Sequence, residues 1–367
     1  MKIELKQVLY PQPKSKIKAS DGKSEGKYKF FTSSPMQTRF IDEANYDKPS
    51  LIFGTGGNAS VHFCDEPFST STDCLVMYGR NKIELESIYN YLKGNISLLE
   101  HGFKGAGLKH ISKDYILAIE IELPSEAMQN EFLQKNRIVD EIIEAKRTQL
   151  LLSEDLVKSR FIEMFGTLSS NEQNFEVLTI ESLCSLIKDG THQTPTYTED
   201  TIDGFKFLSS KDVMSTKIDW SDIKYIPLDL HEKLYAVVKP IKNDILMSKN
   251  GVNYGVAAVN DTDEVFDIYV SLALLRPKTD IINPVYFRSA INSPDTKRQF
   301  DSSIKGIGVP NLHLGEIKKT KILVPPVDKQ NEYVSFVEQV DKSKFEIQQS
   351  LEKLEILKKS LMQQYFG

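Results

Sequence analysis

Residues 104–108 read KGAGL, and residues 305–309 read KGIGV. The two stretches are 201 residues apart, and the same offset relates Phe165-Gly166 to Phe366-Gly367. Across residues 104–166, 18 of 63 positions are identical to the position 201 residues later, whereas roughly four matches are expected by chance at ordinary residue frequencies. A repeat of this length without gaps indicates two structural units built to one design.

Length and composition predict a soluble protein of two or more domains. The chain has 367 residues, of which 40% are hydrophobic and 26% charged, which exceeds one ordinary core and is not a disordered composition. We see no apolar leader segment and no membrane-spanning stretch, and three cysteines without CxxC spacing favour reduced thiols. We therefore expect a cytoplasmic protein. The net charge of −5 argues mildly against a protein that coats DNA but leaves room for local basic faces.

The clearest predicted elements are two long helices, one at the end of each repeat. Neither residues 126–165 nor residues 328–366 contain proline or glycine, and each stretch follows a proline and precedes a glycine. This is the usual punctuation of a helix. Each helix would have about 38 residues, which at 1.5 Å per residue gives roughly 55–60 Å.

Apolar residues recur along both helices at the spacing of a narrow packing seam, and the first helix departs from that spacing at Lys146 and Ser153. The spacing predicts that the two helices pack on each other at coiled-coil angles. The alternative is two amphipathic helices, each lying on its own domain. The seam residues are Phe132, Val139, Ile143, Leu150 and Val157 in the first helix, with Ile142 and Leu156 beside them, and Tyr333, Val340, Ile347, Leu354 and Leu361 in the second.

The regions before the helices also resemble each other. Residues 27–33 are similar to residues 204–210, and residues 50–58 are similar to residues 244–251. Each pair is typical of a strand that runs into a polar or glycine-rich turn.

Patterns that would carry catalysis are weak. Gly54-Thr55-Gly56-Gly57 lacks both the full dinucleotide pattern and the Walker lysine, so a plain turn is favoured over a nucleotide site. Asp295, Glu316 and Lys318 imitate a metal-dependent nuclease, although such pairs of acids are frequent by chance. The six histidines are scattered, and no nucleophilic triad is evident. We therefore predict no catalytic and no metal-binding residue.

Lysines interleaved with aromatic and amide side chains favour nucleic-acid binding. Lys27 and Lys29 flank Tyr28 in the first half, and the second half has similarly placed lysines at positions 206, 211 and 249. Such residues suit contacts to phosphates and base edges. A solvated charged face is the alternative for either cluster alone. Lys104 and Lys305 are more specific, because the duplication preserved both beside paired glycines.

Four motifs resemble the DNA-specificity (S) subunit of bacterial type I restriction–modification enzymes, and the tandem layout covers the entire chain. They are Asp189-Gly190-Thr191-His192-Gln193-Thr194-Pro195, Phe207-Leu208-Ser209-Ser210-Lys211-Asp212-Val213, residues 244–251 (DILMSKNG) and residues 322–332 (ILVPPVDKQNE). The first half departs from the pattern, since it lacks the Gly-Thr-His loop and has Gly-Thr-Gly-Gly-Asn in place of Ser-Lys-Asn-Gly.

The resemblance implies an α+β fold with two tandem α/β target-recognition domains and two long helices that pack as an antiparallel coiled coil in a pseudo-twofold repeat. The recognition domains would be residues 1–124 and 167–325. The conserved spacer helices would be residues 125–166 and 326–367.

The resemblance also implies a role without catalysis. The chain would read a bipartite site on double-stranded DNA and dock two modification (methyltransferase) subunits and restriction (translocase/nuclease) subunits. S-adenosylmethionine, ATP and Mg would belong to those partners, and this chain would bind no cofactor. A metal-dependent nuclease and an interaction scaffold that does not read DNA are the competing hypotheses.

We expect the lysines to hold phosphates and Asn58 and Asn250 to contact base edges. The full set of expected DNA-binding residues is Lys27, Lys29, Asn58, Lys104, His192, Lys206, Lys211, Lys249, Asn250 and Lys305.

Overall fold

The computed structural model describes residues 2–105, 107, 109–213, 216–304 and 310–366. The chain forms two compact units, one of Met1–Thr148 with Ile347–Gly367 and one of Gln149–Glu346. Each unit combines sheets and helices, which confirms the predicted α+β class. The division assigns part of each long helix to each unit.

The first unit contains nine strands and three helices ahead of the first long helix, counted over the described residues. The strands are β1 (Lys2–Glu4), β2 (Leu9–Pro11), β3 (Tyr28–Phe31), β4 (Arg39–Ile41), β5 (Ser50–Gly54), β6 (Ser60–Cys64), β7 (Phe68–Thr70), β8 (Cys74–Gly79) and β9 (Glu120–Glu122). The helices are α1 (Lys82–Gly94), α2 (Ser97–Glu100) and α3 (Lys113–Leu117). They build a four-stranded sheet of order β2-β8-β5-β6, a three-stranded sheet of order β4-β3-β7 and the pair β1-β9.

The long helix α4 (Glu126–Phe165) leads into the second unit. Its strands are β10 (Glu176–Thr179), β11 (Cys184–Asp189), β12 (Phe205–Leu208), β13 (Lys224–Ile226), β14 (Ile245–Ser248), β15 (Ala257–Val259), β16 (Phe266–Ile268), β17 (Leu272–Pro277) and β18 (Lys321–Val324). Its helices are α5 (Ile180–Leu183), α6 (Leu228–Tyr235), α7 (Pro284–Ile291), α8 (Pro294–Ser303), α9 (Leu314–Lys319) and the long helix α10 (Val327–Phe366).

The second unit repeats the sheet topology of the first. Its sheets have the orders β11-β17-β14-β15 and β13-β12-β16, with the pair β10-β18. In both units the middle strand of the three-stranded sheet pairs antiparallel with one neighbour and parallel with the other. The duplication seen in the sequence therefore extends to the sheet topology of each unit.

One strand in each unit divides two hydrophobic cores. Leu51 and Phe53 of β5 belong to one cluster of buried residues, whereas Ile52 belongs to another. In β14, Ile245 and Met247 face one cluster and Leu246 faces another. Successive side chains of a strand point to opposite faces, so a strand buried on both faces is apolar throughout.

In the first unit, the beginning of α4 runs antiparallel to the end of α10. The ring of Phe132 lies 5.0 Å from that of Phe366, and the Lys135 ammonium donates to the Tyr365 hydroxyl at 2.9 Å. Further along the pair, Arg147 lies 3.4 Å from Glu355. Residue numbers fall on one helix as they rise on the other, which defines the antiparallel direction.

The second unit pairs the opposite ends of the same two helices. Phe165 and Phe161 lie 5.6 Å and 5.5 Å from the ring of Tyr333, and Glu154 lies 3.6 Å from Lys344. The end of one long helix thus closes the core beside the beginning of the other in each unit. This pairing makes the alternative of two helices that each lie alone on a domain wrong.

Two details of the predicted seam differ in the structure. Lys146 and Ser153 remain half-buried in line with the apolar residues, so the helix keeps its register there and only the side-chain chemistry changes. Ile142 and Leu156 are 40% and 51% exposed and lie outside the seam. The ten predicted seam residues are all buried or half-buried: Phe132, Val139, Ile143, Leu150, Val157, Tyr333, Val340, Ile347, Leu354 and Leu361.

All three cysteines are free and buried. Within the described ranges, no helix is both long and apolar enough to cross a membrane.

Candidate DNA-binding surfaces

A tight turn follows β5 in the first unit, and two distant segments hold it in place. The Ser33 hydroxyl accepts a hydrogen bond from the Gly56 amide at 2.9 Å and donates to the Gly56 carbonyl at 2.6 Å. His110 lies 3.1 Å from the Thr55 carbonyl through Nδ1, and its backbone bonds to that of Lys104. Residues 54–58 with Lys104 and His110 are called the first turn surface.

The equivalent turn follows β14 in the second unit. The Lys249 amide donates to the Ser271 carbonyl at 2.9 Å, and the Lys249 carbonyl accepts from the Leu312 amide at 2.9 Å. The Gly251 amide donates to the Pro310 carbonyl at 3.1 Å. Residues 248–251 with residues 310–312 are called the second turn surface.

The two turns have matching backbone hydrogen bonds and matching left-handed glycines. The Thr55 amide donates a hydrogen bond to the Asp73 carbonyl, just as the Lys249 amide donates to the Ser271 carbonyl. Gly57 and Gly251 both have left-handed backbone angles, with φ of 77° and 79°, a conformation that costs glycine little. Counted from these glycines, Lys249 corresponds to Thr55 and Asn250 corresponds to Gly56.

Asn58 and Asn250, which are both expected to contact base edges, lie at different positions in their turns. Asn58 comes after the left-handed glycine of its turn and is exposed, whereas Asn250 comes before the corresponding glycine. The Oδ1 atom of Asn250 is buried and has no hydrogen-bond partner within the part of the chain that the structure describes. The two asparagines therefore occupy different places, and the amide of Asn250 is not fully presented to solvent.

Lys249 is buried and forms an ion pair. The residue is 5% exposed, and its ammonium contacts the Asp189 carboxylate. His192, an exposed residue in the loop after β11, lies 3.7 Å from the same carboxylate. Asp189 thus brings Lys249 and His192 together. Asp189 is the first residue of the motif at residues 189–195, but it is not one of the expected DNA-binding residues.

Lys29 and Lys206 occupy matching positions and have matching acidic neighbours. Lys29 lies 2.8 Å from Glu66, and Lys206 lies 2.5 Å from Glu264. The hydrogen bond that Lys29 donates to Glu66 raises the pKa of Lys29 above its ordinary value. Glu66 and Glu264 stand just before β7 and β16, which pair in parallel with the strands that carry the two lysines. No local sequence pattern reveals these pairings. Each lysine would exchange a carboxylate for a phosphate on binding DNA.

The remaining expected residues lie in varied surroundings. Burial acts to lower the pKa of Lys211, but the carboxylates of Asp212 and Asp222 raise it above its ordinary value. Lys27 is exposed, with its ammonium 5.0 Å from the centre of the Tyr28 ring. Lys305 lies outside the described residues.

The residues of the nuclease hypothesis have separate structural roles. Asp295 accepts a hydrogen bond from the Leu168 amide at 2.7 Å, and Lys318 lies 3.1 Å from Glu181. Glu316 lies 3.7 Å from Lys319. No group of three or more His, Cys, Asp or Glu side chains in the described part of the chain is arranged to hold a metal ion.

The two units share one sheet topology, and each has a strand and turn in the same place. A family model for the type I restriction modification DNA specificity domain matches residues 1–153 and 172–358. The EcoBI specificity subunit of Escherichia coli is 22% identical over 317 residues, covering 79% of this chain and 66% of that protein. The MjaVIII specificity subunit of Methanocaldococcus jannaschii is 20% identical over 382 positions, covering 97% of this chain and 89% of that protein.

Solved structures show the same fold. The S subunit of a type I restriction–modification system from M. genitalium has a TM-score of 0.58 at 16% identity, covering 100% of this chain and 96% of that chain. A chain from work on complex assembly and conformational transition of a type I system has a TM-score of 0.62 at 14% identity, covering 100% and 97%.

The chain belongs to the type I restriction–modification DNA specificity family. It is a DNA-specificity subunit, as the sequence motifs predicted, and the nuclease and scaffold hypotheses are not favoured.

Proposed function

We propose that each unit contacts one half of a bipartite DNA site, with residues 1–124 and 167–325 as recognition domains and residues 125–166 and 326–367 as spacer helices. The matched turn surfaces are the observation that carries this proposal. Their backbones are held alike, but Thr55-Gly56 stands where the second unit has Lys249-Asn250. One scaffold with different side chains suits two contacts of different sequence preference, since base edges are read by side chains.

The DNA contact is proposed for the ten expected residues, with Asp189 as a positioning residue for Lys249 and His192. The exposed members, such as Lys27, Asn58, Lys104 and His192, need no rearrangement to contact DNA. Lys29, Lys206, Lys211 and Lys249 each have a carboxylate partner that a phosphate would replace.

The proposed partners are two modification subunits and restriction subunits, which would carry S-adenosylmethionine, ATP and Mg. Large apolar side chains remain exposed on the long helices although the seam is filled. They include Leu151 at 68%, Leu152 at 61%, Phe345 at 63% and Ile356 at 67% exposure. Large exposed apolar side chains are a common feature of protein–protein contacts.

The experiment is co-expression with the methyltransferase encoded beside this chain, followed by single-molecule sequencing of host DNA for methylated adenine. A split motif that is methylated in both halves supports the proposal. A stable complex that methylates no site, although the methyltransferase is active with another specificity subunit, would contradict DNA reading by this chain. Failure to form any complex would contradict the proposed partners.

A further inference from the structure

A small pocket in the second unit contains a buried guanidinium. The cavity has a volume of about 160 Å³ and lies among α4, α7, α8 and α10. Val157, Phe161 and Val337 form apolar walls, and Arg288 and Tyr333 supply polar groups. The pocket thus combines a cationic group with a lining suited to a short hydrocarbon.

Arg288 has few contacts for a charged residue in this position. It is 7% exposed, and its guanidinium donates from Nη2 to the hydroxyl of the adjacent residue Ser289 at 3.4 Å. Its Nε has no hydrogen-bond partner in the described part of the chain, and the Ser289 side chain is the group placed to bond the hydroxyl of the fully buried Tyr333. Among the described residues, no carboxylate oxygen lies within 4.0 Å of the guanidinium. A buried charge without a partner is costly.

The other charged residues around the pocket have partners of opposite charge. Asp341 lies 3.9 Å from Lys217, and Lys344 lies 3.6 Å from Glu154. Lys158, at the edge, lies 3.2 Å from Asp155. Burial lowers the pKa of Arg288, whereas the charge of Asp341 acts on it in the opposite, weaker sense, and Asp341 forms no close ion pair with the guanidinium.

In the first unit, the residue that corresponds to Arg288 is charged and forms an ion pair within the unit. Helices α1 and α7 begin at equivalent caps, Asn81 and Asn283, and the fifth residue after the cap is Glu86 in α1 and Arg288 in α7. Glu86 accepts two hydrogen bonds from Arg137 of α4, at 3.2 Å and 2.6 Å. The residue 201 positions after Arg137 is Glu338, which does not pair with Arg288. The two charges are therefore exchanged in the second unit, where the cation is on α7 and the anion on α10, and no close ion pair joins them in the described residues.

We propose that the Arg288 pocket binds a carboxylate carried on a short aliphatic chain. The carboxylate accepts hydrogen bonds from Nε of Arg288 and from the Tyr333 hydroxyl, and the aliphatic part lies against Val157, Phe161 and Val337. Arginine suits this role because its planar donors match a carboxylate. A free short-chain acid and a glutamate side chain of another protein share this chemistry.

The test is calorimetric titration of the full chain with three probes: butyrate, uncharged butanamide and glutamate blocked as its N-acetyl α-methylamide. Butyrate is expected to bind at least about tenfold more tightly than butanamide, the range of one charge-assisted hydrogen bond. Arg288→Met, which replaces the buried charge with an apolar chain of similar length, should abolish this preference. Arg298→Met on α8, where the side chain is exposed and pairs with Asp295, is the matched control.

The outcomes are distinct. Binding of both butyrate and blocked glutamate identifies a protein side chain as an acceptable source, whereas binding of butyrate alone identifies a free acid. Absence of butyrate binding, equal binding of butyrate and butanamide, or full butyrate affinity in Arg288→Met would overturn the proposal. Tyr333→Phe, which removes one hydroxyl, provides a second variant if Arg288→Met unfolds, and it should weaken butyrate binding severalfold.

Discussion

The ion pair between Asp189 and Lys249 changes what a single substitution is expected to do. Removing the carboxylate leaves a lysine that is 5% exposed without a partner. Asp189→Ala should therefore lower the free energy of unfolding by roughly 3–5 kcal/mol, measured by urea denaturation. The exposed pair of Asp229 and Lys233 provides the control, since Asp229→Ala should cost less than about 1 kcal/mol. If both variants have the same small effect, Lys249 is solvated in solution.

Glu66 and Glu264 compete with DNA for their lysines if Lys29 and Lys206 contact phosphates. Glu66→Gln frees Lys29 and should tighten DNA binding and steepen its salt dependence by up to about one charge, measured by fluorescence anisotropy at several salt concentrations. Glu163→Gln removes an equal charge from an exposed position on α4 and is the control for net charge alone. The effect of Glu66→Gln should vanish in the Lys29→Gln background, and its persistence there would contradict a phosphate contact by Lys29.

Cys74 predicts a dependence of stability on alkaline pH. Burial raises the pKa of its thiol from an ordinary value of 9.0 to about 11. Above about pH 9 the unfolded chain releases this proton while the folded chain keeps it, so the thiol's contribution to stability is lost as pH rises from 9 to 11. The loss should reach about 2–3 kcal/mol. Urea denaturation at pH 8 and pH 10.5 should show a smaller fall for Cys74→Ala than for the wild-type chain. Equal falls would contradict the raised pKa.

At the scale of elements, the sequence predicted what local patterns encode. The absence of proline and glycine predicted both long helices, which span Glu126–Phe165 and Val327–Phe366. Strands followed by turns were predicted at β5 and β14. The parallel pairs β3–β7 and β12–β16 were not, because they join segments that are distant in sequence. For the same reason the sequence did not reveal the partners of Lys29 and Lys206, or that Lys249 is buried.

Opposite ends of α4 and α10 pack in the two units. Substitutions near opposite ends of the pair should therefore destabilise different units. Phe366 is 3% exposed and lies 5.4 Å from Tyr91, whereas Phe165 is 1% exposed and lies 5.0 Å from Tyr286. Replacing either by alanine should cost about 3–5 kcal/mol. Hydrogen exchange followed by mass spectrometry should show faster exchange in α1 for Phe366→Ala and in α7 for Phe165→Ala. Faster exchange in both helices for each variant would show that the units unfold together.

At the scale of the whole molecule, duplication explains how a chain of net charge −5 is suited to reading DNA. Four of the expected DNA-binding lysines have carboxylate partners, one in the first unit and three in the second. Two weak contacts held in one chain bind more tightly than either alone, because the second contact becomes intramolecular. Under the proposed function, specificity for a long site would come from two domains that differ in side chains but share a fold.

This arrangement predicts that the two halves of the DNA site change independently. Replacing residues 167–325 with the corresponding region of another specificity subunit should alter one half of the methylated motif and leave the other half and the gap unchanged. The physical reason is that base-edge contacts belong to one domain, while the spacer helices stay the same. Single-molecule sequencing of DNA from cells that co-express the methyltransferase measures the motif directly. Replacing residues 1–124 instead is the reciprocal control and should alter the other half. A chimera in which both halves change would show that the domains do not read separately, and a chimera that keeps the parental motif would place recognition outside residues 167–325.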